Sequence, residues 1–357
     1  MGPATADRAR QRRTGVGREL VTAAGRRYEL PLFLPVYQRN STLPELPPAV
    51  GDQPVRGCIV NAYFLYKQRE LRRSLAETAG LRRYLGFDGL VMTDSGAFQA
   101  FTRRLYLNNR DITRFQARIG ADIVSPLDLI TLPGESRTSV EVKVDATYKR
   151  VREAQRYVGD ALLAGVQQGG RFLEARRRST DQMLELGVRY LAVGSLVPFF
   201  TRRHELSFVA RTLQQTRAQV GEDLPIHVYG AGDPLELPFF VSWGADIFDS
   251  SSYGHFAQDG WYMTPYGALR DPGRVLEAGE YVCRCPVCGG RPPPAALLAD
   301  VPALATHNLW TILHTVERTA EAVRAGRLPA LLEELLDVHR AWFPDSPLPE
   351  LWERSAG

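Results

Sequence analysis

Two short stretches place reactive side chains where folds commonly present them. In Val91-Met92-Thr93-Asp94-Ser95-Gly96-Ala97-Phe98-Gln99, an apolar run that begins at Gly89 stops at an aspartate, a serine and a glycine. This is how a buried parallel strand ends in a loop that presents a carboxylate. Asp94 suits proton transfer, with Gly96 letting a ligand approach the backbone and Phe98 offering a flat apolar face. Taken alone, an Asp-Ser-Gly turn also fits a helix cap. The second stretch, Gly244-Ala245-Asp246-Ile247-Phe248-Asp249-Ser250-Ser251-Ser252-Tyr253, repeats the design, a short apolar strand running into a carboxylate and small hydroxyl residues. Two strand-end aspartates this far apart in sequence meet only if their strands are neighbours in a sheet or barrel.

The elements that must position them alternate. Apolar strands are expected over residues 57–62, 89–94, 121–128, 161–168, 190–196, 225–230 and 245–249, and amphipathic helices over 139–157, 172–186 and 205–220. A βαβα series implies a parallel sheet. With an eighth strand near 28–36 or after Met263, the pattern favours a closed (β/α)8 TIM barrel, a fold of about 250 residues, over an open doubly wound sheet. In such a barrel catalytic groups collect at the carboxyl ends of the strands. The sequence obeys this: Asp94, Asp128, Gln168-Gly169-Gly170, Gly194-Ser195, Gly230-Ala231-Gly232 and Asp249 each close an apolar segment.

The chain has 357 residues, is 44% hydrophobic and 24% charged, and carries a net charge of +4, which allows a sizeable core. Its basic side is nearly all arginine, with lysine only at 67, 143 and 149. No run of about 18 apolar residues marks a membrane span, and the Arg-rich start lacks the apolar centre of a secretion signal, so a cytoplasmic protein is expected. Three of the four cysteines fall in Cys283-Arg284-Cys285-Pro286-Val287-Cys288, while Cys58 sits alone in an apolar strand. That distribution suits thiolate coordination of zinc better than disulfides, with a reactive or redox cluster as the alternative, and zinc needs a fourth ligand.

Asp94-Ser95-Gly96-Ala97-Phe98-Gln99 and Asp246-Ile247-Phe248-Asp249-Ser250 together resemble the tRNA-guanine transglycosylases, specifically their archaeosine-type branch. So do Leu34-Pro35-Val36, Asn61-Ala62-Tyr63, Leu85-Gly86-Phe87-Asp88-Gly89, Pro126-Leu127-Asp128, Gln168-Gly169-Gly170, Val197-Pro198 and Tyr229-Gly230-Ala231-Gly232, in order and at similar spacing over residues 20 to 315. The resemblance implies a barrel with an appended zinc subdomain that exchanges a guanine in nucleic acid for a free 7-deazaguanine base, without ATP. Asp249 then matches the nucleophile at C1′ and Asp94 the general acid and base. Two inversions retain the β-anomer. Asp128 matches the acceptor for the base's N1–H and 2-amino group, Gln168 and the Gly194 backbone the donors to O6, and Phe98 with Tyr229 the faces that sandwich the ring; Ser95 and Gly230 join them in the substrate pocket. The segment after Gly194 lacks the glutamate of queuine-type bacterial members, which suggests a neutral 7-substituent such as the nitrile of 7-cyano-7-deazaguanine. The target nucleotide must be flipped into the pocket.

Zinc is implied at Cys283, Cys285, Cys288 and His307, with His314 as the alternative fourth ligand, and a homodimer through the zinc region. His204, His227, His255 and His339 gain no role from spacing alone. The expected organisation is a flexible Arg-rich N-terminus over 1–27, the barrel over 28–280, the zinc subdomain over 281–315 and helices over 316–357. Archaeosine-type enzymes usually continue into RNA-binding domains that this sequence is not expected to contain, which leaves tRNA or DNA as the target. A catalytically silent scaffold subunit is a third reading, against which both aspartates argue. Arg103-Arg104, Lys149 with Arg152 and Arg156, and Arg176-Arg177-Arg178 form basic faces suited to phosphates or simply to solvent.

Overall fold

The computed structural model describes residues 18–38, 42–43, 45–97, 107–202, 205–273, 275, 279–290 and 295–356. Eight parallel strands follow one another round a closed barrel. They are β1 (Leu32–Pro35), β2 (Gly57–Asn61), β3 (Leu90–Asp94), β4 (Ile123–Val124), β5 (Leu162–Leu163 continued by Gly165–Gln167), β6 (Leu191–Val193), β7 (Ile226–Val228) and β8 (Ile247–Ser250). The ring closes at two places. β8 pairs with β1 through Asp249 and Leu34, and β1 meets β2 through a parallel bridge between Val36 and Ile59. At β5 the chain changes partner on either side of Ala164, pairing first with β4 and then with β6. The eighth strand is therefore the one at 32–35, among the two positions open from sequence.

Each strand is buried on both faces, which is why they read as apolar runs rather than alternating ones. The alternation of side chains still sorts them. Leu32, Leu34, Ile59, Leu90, Met92, Ile123, Leu162, Ala164, Tyr190, Ala192 and Ile247 fill the barrel interior. Phe33, Cys58, Val60, Val91, Val124, Leu191, Val193, Ile226, Val228 and Phe248 point outward into the layer beneath the helices. The outer helices include Asn109–Arg118, Arg137–Ala154, Leu173–Glu185, Leu206–Val220 and Glu236–Trp243. Asn108 and Ser136 cap the first two by accepting from Asp111 N and Ser139 N.

A pattern not read from the sequence organises the barrel floor. Gly120-Ala121-Asp122-Ile123 and Gly244-Ala245-Asp246-Ile247 enter β4 and β8, diametrically opposite strands. Asp122 accepts from Val91 N at 2.8 Å and pairs with Arg82 and Arg26; Asp246 accepts from Ile226 N at 2.8 Å and pairs with Arg217 and Arg18. Arg82 also donates to Gly120 O and Arg217 to Gly244 O, both at 2.8 Å. The two half-barrels are thus tied by the same device.

Residues 1–17 lie outside the described residues, but Glu19–Val21 and Arg27–Glu29 form an antiparallel hairpin whose flanking Arg18 and Arg26 reach those two floor aspartates. The boundary at 315 falls inside one 24-residue helix, Val301–Arg324, started by Asp300 accepting from Ala303 N with Pro302 in the first turn. This helix packs against β1, the 49–54 hairpin and helix Ser252–Gln258, so the cysteine segment is fastened to the barrel wall.

Candidate active site

Side-chain alternation decides where the two aspartates point. Leu90 and Met92 face the barrel interior, so Asp94, two residues further along β3, faces it too at the carboxyl end. Ile247 faces inward and Phe248 outward, which turns Asp249 inward. Both carboxylates open into the same mouth. Asp128 joins them, because the charges of Asp128 and Asp249 both push the Asp94 carboxyl upward.

Each carboxylate has an oxygen held by the protein. Asn61 caps its own helix by accepting from Tyr63 N and Phe64 N, which leaves Nδ2 to donate to Asp94 Oδ2 at 3.1 Å. Asp94 is thus a strand-end acid steadied by Asn61. Burial, ahead of the neighbouring charges, raises it to about 7, against the opposing pull of the Gly96 and Ser95 N–H groups. Asp249 Oδ1 accepts from Gly230 N at 3.2 Å, and His227 Nε2 stands 2.8 Å from the same oxygen, within ion-pair range but off the alignment of a hydrogen bond. Gly230 has φ +76°, and a Cβ there would stand 2.4 Å from Val197 Cγ2, so the turn that aims its N–H needs glycine.

Asp128 Oδ2 accepts from Gln168 Nε2 at 2.7 Å, and burial raises this carboxyl to about 6. The Gln168 amide cannot flip without loss. Its Oε1 accepts from Thr131 N, Thr131 Oγ1 and Ser195 Oγ at 3.1, 2.9 and 2.6 Å. One expected donor does not hold: Gly194 N–H is spent on Gln167 O at 2.9 Å, continuing the ladder of β5 and β6. Gly194 contributes space instead, since a Cβ there would lie 2.6 Å from Gln168 Nε2. Tyr229 bonds Ser125 Oγ through its hydroxyl at 3.1 Å. Ser95 is fully buried, and its Oγ has no partner among the described residues. Phe98, like Arg103, Arg104 and His204, lies outside the described residues.

The run Arg176-Arg177-Arg178 is not one basic face. Arg177 and Arg178 are exposed, but Arg176 is fully buried and donates to Gly170 O, Gln167 Oε1, Gly194 O and Ser195 O. No carboxylate pairs with it among the described residues, and burial pushes its guanidinium down to about 9. It pins the exits of β5 and β6 together, with Ser195 at φ +59°.

Cys283, Cys285, Cys288 and His307 are all buried, with their ligand atoms within 4.8 Å of one another. His307 Nε2 lies 2.9 Å from the Met263 carbonyl, which can only accept, so Nε2 carries the proton and Nδ1 offers its lone pair 3.4 to 3.7 Å from the three sulfurs. These residues fit a tetrahedral metal ion. His314 is elsewhere, stacked on Trp310.

A family profile described as queuine tRNA-ribosyltransferase matches residues 11–341. The chain belongs to this family. Relatives named tRNA-guanine(15) transglycosylase include those of Methanopyrus kandleri, 35% identical over 325 residues, and Pyrococcus abyssi, 32% identical over 336 residues. That of Pyrococcus furiosus is 32% identical over 323 residues. The matches cover 89, 92 and 88% of this chain but 69, 56 and 53% of the relatives, so the chain spans between about half and two-thirds of their length. No helix among the described residues is long and apolar enough to cross a membrane.

Proposed function

We propose that the barrel exchanges a guanine in nucleic acid for a free 7-deazaguanine base, such as 7-cyano-7-deazaguanine, through a covalent bond from Asp249 to ribose C1′. The observation that carries this reading is the pair of inward-facing carboxylates, each steadied by a donor of the protein, Asn61 Nδ2 on Asp94 and Gly230 N–H on Asp249. Asp249 Oδ2 attacks C1′ as the C1′–N9 bond breaks, and the electron pair left on N9 takes the proton from Asp94. The incoming base then gives its N9 proton to the Asp94 carboxylate and attacks C1′, which releases Asp249. An acid raised to about 7 is populated in both forms at neutral pH, which this exchange of roles requires.

Asp128, at about 6, is mostly ionised at neutral pH and accepts from N1–H and the 2-amino group. Gln168 Nε2 remains the donor suited to O6, and Tyr229 the surface for one face of the ring. Phosphates are left to exposed cations such as Lys149, Arg152 and Arg156. Zinc would be held by Cys283, Cys285, Cys288 and His307 as a closed structural site that ties the cysteine segment to helix Val301–Arg324, in a protein working in the cytoplasm as a homodimer through this region.

The names of the relatives favour tRNA as the target. Radiolabelled 7-cyano-7-deazaguanine incubated with the enzyme and either tRNA or duplex DNA should enter the tRNA. Entry into DNA alone would move the target, and entry into neither would contradict base exchange.

A further inference from the structure

One buried polar pair inside the barrel has no part in the chemistry above. His227, on β7, is completely buried, one layer below the mouth, where TIM barrels ordinarily pack bulky apolar residues. Its Nδ1 lies 2.7 Å from the hydroxyl of Tyr190, which is also completely buried, and its ring meets that of Tyr229 edge-on with centroids 4.8 Å apart. Two apolar side chains would fill this space without the cost of burying polar atoms. The pair is aimed, because His227 Nε2 stands 2.8 Å from Asp249 Oδ1.

The proton positions follow from the neighbours. Burial keeps the Tyr190 phenol neutral, and because Asp249 Oδ1 beside Nε2 can only accept, Nδ1 is left to accept from the Tyr190 hydroxyl, which also lies 3.7 Å from Met92 Sδ. The ring proton therefore sits on Nε2, facing a carboxylate oxygen that can only accept. The N–H is not yet aligned with that oxygen, as is common for catalytic hydrogen bonds before substrate arrives.

We propose that His227, oriented by Tyr190, is a positioning residue that holds Asp249 Oδ1 together with Gly230 N–H and so directs Oδ2 at C1′. The proposal rests on Asp249 being the nucleophile. No proton changes hands through the imidazole. As the C1′–Oδ2 bond forms, the carboxylate charge is lost, and the fixed N–H keeps the ester carbonyl oriented for the second attack.

The test is single-turnover formation of the covalent adduct between the zinc-loaded protein and tRNA, read on denaturing gels. His227→Ala is expected to slow adduct formation about 100-fold, the scale of a misplaced reacting group, with the KM values for tRNA and free base within about threefold of the original. His227→Gln, whose amide nitrogen replaces Nε2, should recover about tenfold of that loss, and Tyr190→Phe, which keeps the ring packing, should slow the step about tenfold. If His227→Ala does not fold, Tyr190→Phe and His227→Gln carry the test. An adduct formed at the original rate in His227→Ala and Tyr190→Phe overturns the proposal. So does a loss that tracks base affinity and is as large in His227→Gln as in His227→Ala. Asp249→Asn in parallel separates the two readings. Its failure to form an adduct keeps the nucleophile whatever the His227 variants do, whereas an adduct that survives removes the nucleophile and this proposal with it.

Discussion

Asp94 and Asp249 are the same residue type at the same depth of one barrel, and their surroundings assign them different work. Asp94 is lifted to about 7 chiefly by burial and then by the charges of Asp128 and Asp249. This has a consequence for stability. Below its ordinary value of 3.8 the carboxyl is protonated in both folded and unfolded chains, and burial costs nothing extra. Between 3.8 and about 7 the unfolded chain ionises while the folded one keeps its proton, so stability falls as pH rises through that window and levels off above it. Asp94→Asn should therefore lose base exchange yet melt above the original protein at pH 8, by about 2–4 kcal/mol, with the difference shrinking toward pH 4. Thermal melts across that range check it; an advantage that grows on acidification would contradict the assigned shift. Little of this was visible in one dimension. Apolar strands stopping at Asp94 and Asp249 announced strand-end acids, but the His227 and Tyr190 pair depends on which side chains of β6 and β7 meet inside the barrel, and no spacing within either strand encodes that.

At the scale of elements, the site is built from strand exits, and a buried hydrogen-bond network ties the loops after β5 and β6 together. Arg176 binds carbonyls of both, and Gln168 with Ser195 and Thr131 closes the ring that faces Asp128. Arg176→Met would leave those carbonyls without donors, and a loss of about 3 kcal/mol follows from the cost of stranding buried polar groups. Because Gly194 and Ser195 line the proposed base pocket, KM for the free base should rise with it, while Arg177→Met, on the exposed side of the same helix, should change neither. Chemical denaturation and steady-state kinetics check both; equal effects from the two variants would contradict the role given to Arg176. From sequence these arginines looked alike, because a run of three does not say which one turns inward. The strands themselves were legible, since runs such as Leu90-Val91-Met92 are buried on both faces and end at polar residues. Gly194 was misread for a related reason. A glycine at a strand exit signals close approach, but whether its N–H is free depends on how far the ladder with β5 continues.

The whole molecule is a barrel gripped at both ends. At the mouth, Asp94, Asp128 and Asp249 are held by amide donors and pair with no arginine or lysine among the described residues, whereas at the floor Asp122 and Asp246 are each held by two arginines and a backbone N–H. Asp246→Ala would strand the buried Arg217 and should cost about 3–5 kcal/mol, whereas Asp122→Ala, whose partners Arg82 and Arg26 are only half-buried, should cost less. Neither should change KM for the base by more than about threefold, since each sits at the opposite end of a strand from the site. Chemical denaturation checks it, and a larger loss from Asp122→Ala than from Asp246→Ala would contradict the weight given to the buried Arg217. The repeated Gly-Ala-Asp-Ile was present in the sequence, but its meaning needs the four-strand separation that only the closed ring supplies. The cysteine cluster was more readable, because three thiols within six residues admit few explanations, and of the two histidines the resemblance offered the structure brings His307, not His314, to them. In the proposed reaction, all of this holds Asp94 and Asp249 on either side of a sugar carbon. The most direct test of that claim is the denaturing-gel assay for a covalent bond between protein and tRNA. The original protein should give a slow-migrating band that free base discharges, and Asp249→Asn should give none; a band of undiminished intensity from Asp249→Asn would contradict the account.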